Sequence, residues 1–358
     1  MSTKGNKKDK KKEKKFKSHG GGSQKGKKKG SRTKSRHGGK GLKSECTEEE
    51  RVKPTTPKTK EAWDAEAGAK KLVASFLNSF DAINREFGEI RNDKPTPDKC
   101  GMFMKNMQKN RQIDAPIADD VRVKFPTAPD NFISAAKVAV PDTPKNVLIA
   151  QLPDAAIPGA IEDFWRMVFD ESCTNVHIGF SPGEIPTTLE QMMPVAAASF
   201  MTYGKMFVNN KKVDVSGKNG IVYTFEILPD GCSNSLLSNV HVWTWKKGAP
   251  ATTASDLANG FEKTVKSMDT PCFASGFGTG RAGTMAVLFS TMYYITKDKD
   301  AKIKDTLQKM RGQRCSLVEN GQQYSTIYQS VAWWIKNKSN DEDMVKKMEE
   351  FCTITNVQ

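Results

Sequence analysis

The sequence predicts a mixed α/β (α+β) domain: one twisted sheet flanked by helices, preceded by a basic tail that builds no core. Three observations carry this. Residues 1–60 are mainly Lys, Gly and Ser with almost no apolar content. Strand-like apolar runs gather between Val147 and Trp245. From Asp256 onward, apolar residues recur at helical spacing. A length of 358 residues suits one large domain with a tail.

The tail holds the charge. The chain carries 56 Lys/Arg and 41 Asp/Glu, a formal net charge of +15. Residues 1–40 hold 17 Lys/Arg against only Asp9 and Glu13, so the whole excess lies there. Such a segment cannot bury enough surface to offset its ordering entropy. Residues 1–60 are therefore expected to be disordered, and residues 61–358 to fold. The runs Lys7–Lys17 and Lys25–Lys40 suit contact with nucleic acid or an acidic membrane, a nuclear address, or simple solubilisation. Phe16 is the tail's one aromatic residue, which argues against base stacking.

Several classes are excluded. No apolar stretch follows the N-terminal lysines, so no secretory signal is expected. No run of about 18 apolar residues offers a transmembrane segment. The seven cysteines are widely spaced, and the closest pair, Cys315 and Cys352, is 37 residues apart. An odd count without a signal reads as reduced thiols in a cytoplasmic or nuclear protein.

Within the domain, Leu72, Phe76, Phe80, Ile83 and Phe87 predict an amphipathic helix that ends before Lys94–Asp98. Val147–Ala150 and Val176–Phe180 read as strands around a short helix, Ile161–Phe169. Met206–Val213 and Ile221–Leu228 read as strands about a turn at Gly217–Gly220, with Val240–Trp245 as a further strand. Helices are predicted over Asp256–Met268, Ala282–Ile295, Ala301–Arg311, Gln322–Ile335 and Asp341–Phe351.

The strongest local signal is Ser275-Gly-Phe-Gly-Thr-Gly-Arg-Ala-Gly-Thr284. Alternate glycines Gly276, Gly278 and Gly280 let the N–H groups of residues 276–281 converge on an anion. A helix start adds dipole and donors, and Arg281 can grip two oxygens. Gly278-Thr-Gly280-Arg-Ala-Gly283 also fits a dinucleotide fingerprint. That reading needs a following strand with an acid, whereas the region after Ile295 is Lys-rich and then helical.

A nucleophile position six residues before an Arg, feeding a helix, resembles the signature of the protein tyrosine phosphatases. Other segments agree in order. Lys109-Asn-Arg111 with Asp114, Asp120 and Val121-Arg-Val123 resembles the phosphotyrosine-recognition segment and the strand after it. Asp130-Asn-Phe-Ile-Ser-Ala135 resembles the "DYINA" stretch. Ile149-Ala-Gln151 with Asp163-Phe-Trp-Arg-Met167 resembles "IATQGP…FWRM". Trp243-Thr-Trp-Lys-Lys-Gly-Ala-Pro250 lies where the mobile acid loop belongs, and Val318–Tyr324 resembles the glutamine-bearing loop. The likeness runs from Leu72 to Phe351.

The resemblance implies a phosphatase fold with altered chemistry. Ser275 stands at the thiolate position, Ala274 at the usual His, and Ala282 at the usual Ser or Thr. Lys246 or Lys247 stands at the general-acid Asp, and both alignments stay open. Glu319 replaces the water-orienting glutamine, whereas Gln323 keeps the second one. Gln112 replaces the ring-stacking tyrosine, and Asp114 keeps the backbone-holding carboxylate.

The expectation is a pseudophosphatase without cofactor. It would dock an unidentified protein partner, phosphorylated or not, with residual phosphate or phosphotyrosine binding. The alternatives are residual phosphoester hydrolysis, and nucleic-acid association through the tail. Whether Arg281 binds an anion or only stabilises its loop stays open. Cys272 reads as a buried structural thiol, His177 and His241 as strand residues outside any metal cluster, and Trp333-Trp334 as core. Asp119-Asp120 reads as a turn.

Overall fold

A computed structural model describes residues 62–128, 131–215, 220–251 and 254–357. The expectations for the tail fall outside these residues, as do Asp130 and positions 217–219 of the predicted turn.

The domain opens with α1 (Glu66–Ala74), α2 (Phe80–Glu89) and α3 (Gly101–Lys105). Then follow β1 (Ala135–Ala139), β2 (Asn146–Gln151), α4 (Ala160–Asp170), β3 (Asn175–Phe180) and α5 (Leu189–Met192). A meander comes next: β4 (Phe200–Tyr203), β5 (Met206–Val215), β6 (Gly220–Pro229) and β7 (Leu236–Thr244). The chain ends with α6 (Ala254–Lys266), β8 (Cys272–Ser275), α7 (Gly280–Thr296), α8 (Ile303–Gln313), α9 (Gly321–Lys338) and α10 (Glu342–Ile354).

The strands form one eight-stranded sheet in the order β1-β2-β8-β3-β7-β6-β5-β4. The four central strands, β2, β8, β3 and β7, are parallel, and the outer pairs are antiparallel. Gln151, Ser275, Gly179 and Trp243 sit side by side at the carboxyl ends of those four strands. In open α/β sheets that edge is where ligands bind.

Burial follows the pleat. On β8, Phe273 joins the core cluster under α7 and α9, whereas Cys272 and Ala274 join the cluster under α4. Helix α7 has no polar face, and all of its residues but Tyr293 and Thr296 are buried. A helix apolar all round belongs at the centre of a fold, and here it starts at the cradle. Cys272 is fully buried, and burial pushes its thiol up to about 12. Trp334 is core, while Trp333 is only partly buried.

Two expectations need correction. The single helix read from Leu72 to Phe87 is two helices. Ser79 caps α2 by accepting from the Ala82 N–H at 3.3 Å, which starts a new helix in mid-pattern. The spacing ran on because Leu72, Phe76, Ile83 and Phe87 all meet the same core. No strand forms at Val121–Val123, where Arg122 makes only an isolated bridge to Ala136, and β1 and β4 carry no strand signal in the sequence. Alanine dominates β1, and β4 is four residues long at the sheet edge.

Both domain histidines are strand residues packed face to face. His177 on β3 and His241 on β7 stack with ring centroids 4.4 Å apart. The Trp243 indole N–H donates to His177 Nδ1 at 3.4 Å. That leaves the hydrogen of a neutral ring on Nε2, which meets Thr264 Oγ1 at 2.9 Å. Burial pushes His177 well below the ordinary imidazole range and His241 to about 4, with Lys263 adding to the latter shift. The unfolded chain therefore takes up these protons first. The stability they support is complete above about pH 6.5 and lost as pH falls toward 4. Urea unfolding should show stability declining over that window, by up to about 1.4 kcal/mol per pH unit for each imidazole. His177→Gln should flatten the decline; an unchanged slope would contradict this assignment.

Candidate phosphate-binding cleft

The cradle joins the end of β8 to the start of α7. Ser275, only 2% exposed, closes β8. Gly278 donates its N–H to the Ser275 carbonyl and to Ser275 Oγ, both at 3.2 Å. Gly278 has φ +68°, and a Cβ there would lie 2.6 Å from the Gln151 nitrogen. Only glycine fits, because both the backbone angle and the space exclude a side chain. A Cβ on Gly276 would come within 3.0 Å of Glu184 and Ile185. Helix α7 begins at Gly280, so its first N–H groups lack helical acceptors and face the loop.

Arg281 is 3% exposed and already engaged. Its guanidinium donates to the Trp245 carbonyl and forms an ion pair with Glu184, which is itself about nine-tenths buried. A guanidinium carries five N–H donors, and these contacts do not exhaust them. Arg111 braces the cradle from below, donating to the carbonyls of Gly276 at 3.1 Å and Pro153 at 3.0 Å. The Arg111 N–H donates to Gln151 Oε1 at 2.7 Å.

The open cleft above holds about 330 Å³. It is lined by Arg111, Gln112, Ile113, Asp114, Lys247, Ser275, Phe277, Thr279, Gly280, Arg281 and Glu319. Of the two candidate acid-loop lysines, Lys247 lines it and Lys246 does not. Lys247 Nζ lies 3.6 Å above the centre of the Phe277 ring. Gln112 Oε1 accepts from the Thr279 hydroxyl at 2.5 Å, tying the recognition loop to the cradle. Glu319 crowds the start of α7, since a Cβ on Gly280 would meet its carboxylate at 2.9 Å. Gln323 lies fully buried beneath, accepting from the Glu319 N–H at 2.9 Å. Asp114 stands exposed at the rim, 3.7 Å from Lys94.

The loop carrying Lys247 is tied down at several points. Trp245 N–H donates to the Phe180 carbonyl at 2.8 Å, and its indole N–H to the Ala249 carbonyl at 2.9 Å. Asn320 donates to the Gly248 carbonyl at 2.8 Å while capping α9. Sequence reasoning missed Glu184 altogether. The usable signal was an acid just beyond the carboxyl end of a central strand. No strand follows α7 among the described residues, so the dinucleotide reading falls. Among those residues no group of His, Cys, Asp or Glu is arranged to hold a metal, and no helix is long and apolar enough to cross a membrane.

Comparison with known proteins agrees with this geometry. The family model for protein-tyrosine phosphatase matches residues 106–333. The chain is 40% identical over 290 residues to a Caenorhabditis elegans protein named "Putative tyrosine-protein phosphatase", covering 81% of this chain and 72% of that one. It is 25% identical over 282 residues to the tyrosine-protein phosphatase non-receptor type 2 of Rattus norvegicus, covering 73% of this chain and 64% of the relative. The crystal structure of a Trypanosoma cruzi protein tyrosine phosphatase matches with a TM-score of 0.61 at 17% identity, over 73% of this chain and 95% of that one. That last likeness bears on the fold alone. This chain belongs to the protein tyrosine phosphatase family.

The cradle should tolerate no side chain at its left-handed glycine. Gly278→Ala is expected to cost about 2 kcal/mol or more in urea unfolding, combining strained backbone with a clash against Gln151. A cost below about 0.5 kcal/mol would mean that the loop relaxes freely.

Proposed function

We propose that this member of the family binds rather than hydrolyses: a pseudophosphatase acting as a protein-binding or scaffold module, with the cleft as its anion site. The observation that carries this reading is the Ser275 hydroxyl at the centre of an otherwise complete cradle. A thiolate is the reactive form of a cysteine, and nearby donors can lower its pKa into reach. A serine hydroxyl needs a base instead. Among the described residues, no imidazole or carboxylate is hydrogen-bonded to Ser275 Oγ, which accepts from the Gly278 N–H.

The surroundings support the same reading. An ammonium at Lys247 is a poor source of the leaving-group proton at neutral pH. It is a good counter-charge for a bound oxyanion. The fork of Arg281 and the loop N–H groups other than that of Gly278, which donates to Ser275, supply the remaining donors. Glu319 works against them, because a carboxylate beside the anion repels it. The site is therefore a weak binder as it stands. A cytoplasmic or nuclear location and a localising role for the basic tail complete the proposal.

Turnover of an aryl phosphate by the full chain should be undetectable. Ser275→Cys combined with Lys247→Asp should restore little, because Gln112 and Glu319 remain. Glu319→Gln should tighten binding of inorganic phosphate about fivefold, from roughly 1 kcal/mol of relieved repulsion. Arg281→Ala should abolish that binding. Hydrolysis that disappears in Ser275→Ala would overturn the reading in favour of an active enzyme.

A further inference from the structure

We infer that the cleft takes an alkyl phosphate monoester, the chemistry of a phosphorylated serine or threonine side chain, in preference to an aryl phosphate. The inference rests on the anion-binding reading above and specifies its ligand.

Recognition of an aryl phosphate calls for flat partners that sandwich the ring. Phe277 is the one aromatic residue among those lining the cleft, and its face is covered by the Lys247 ammonium at 3.6 Å. A cation seated on a ring is held by the ring's negative face, so it competes with anything that would stack there. Gln112 also lines the cleft, and its amide oxygen is committed to the Thr279 hydroxyl at 2.5 Å. So does Glu319, held by Gln323. None of these offers an open π face. An aryl ring entering the cleft would have to displace Lys247 from Phe277 before it could stack there, exchanging one contact with the ring's face for another.

An alkyl phosphate needs none of this. Its oxygens would meet the cradle N–H groups and Arg281, and the Lys247 ammonium already stands in the cleft as a counter-charge. A narrow methylene stem needs no flat slot. At the rim, Ile113 is 60% exposed and offers apolar contact to the chain that carries the phosphate. Asp114 beside it is an acceptor for a backbone N–H of that chain.

The test is calorimetric titration of the full chain with four probes: inorganic phosphate, glycerol phosphate, a phosphoserine peptide, and the phosphotyrosine peptide of the same flanking sequence. The inference predicts that the phosphoserine peptide binds at least as tightly as the phosphotyrosine peptide. It also predicts that Lys247→Ala weakens binding of both alkyl probes, and that Gln112→Tyr shifts the ratio about fivefold toward tyrosine by restoring one stacking wall. If glycerol phosphate matches the peptide, the ligand is a small metabolite; if the peptide is tighter, it is a protein. Either result supports the inference. Tighter binding of the phosphotyrosine peptide than of the phosphoserine peptide overturns it and leaves the anion-binding reading standing. Phosphate that binds while every ester fails also overturns it, leaving a free-anion site. Failure of all four probes sinks the anion-binding reading itself.

Discussion

The cleft is organised by one buried ion pair. Glu184, beyond the end of β3, meets Arg281 in the first turn of α7, and the same guanidinium holds the Trp245 carbonyl beyond the end of β7. Three segments that are far apart in sequence are joined at the carboxyl edge of the parallel strands. Neither charged group has much access to water. Removing one partner would leave a buried charge uncompensated, which typically costs about 3–5 kcal/mol. The position of the loop bearing Lys247 follows from this pair, and so does the shape of the cleft. A mutation made at Arg281 to test anion binding therefore also tests the architecture, and folding must be measured beside binding.

Much of this was legible in the sequence, and the reasons are physical. Glycines at alternate positions followed by Arg281 and an apolar helix announce a tight loop between a strand and a buried helix, and the structure has that loop between β8 and α7. The central strands could be read from continuous apolar runs such as Val147–Ala150, since strands covered on both faces need no alternation. The late helices showed their period plainly. What stayed hidden depended on partners. Strand β1 is alanine-rich and acquires its identity by pairing with β2. The break between α1 and α2 lay in a single capping serine within an unbroken apolar rhythm. Glu184 carries no pattern in the sequence, and only the fold sets it against Arg281.

The choice between Lys246 and Lys247 shows the same limit. Sequence left a one-residue ambiguity, and only the ties at Trp245 and Gly248 place one lysine in the cleft and the other outside it. The replacements then make sense together. Lys247 brings a cation where the resemblance implies an acid, Glu319 brings an anion where it implies a neutral amide, and Gln112 removes a ring. Each change alone would damage a hydrolytic site. In combination they make the cleft polar, with Lys247, Glu319 and Gln112 all lining it.

The central claim is that the cradle still holds an oxyanion although its nucleophile position carries a hydroxyl. A crystal of the protein soaked in phosphate tests this most directly. The account predicts tetrahedral density bound by Arg281 and by the loop N–H groups not already given to Ser275, with Lys247 turned toward it and Glu319 swung away. An empty cradle at saturating phosphate, with the Glu319 carboxylate resting against the start of α7, would contradict it.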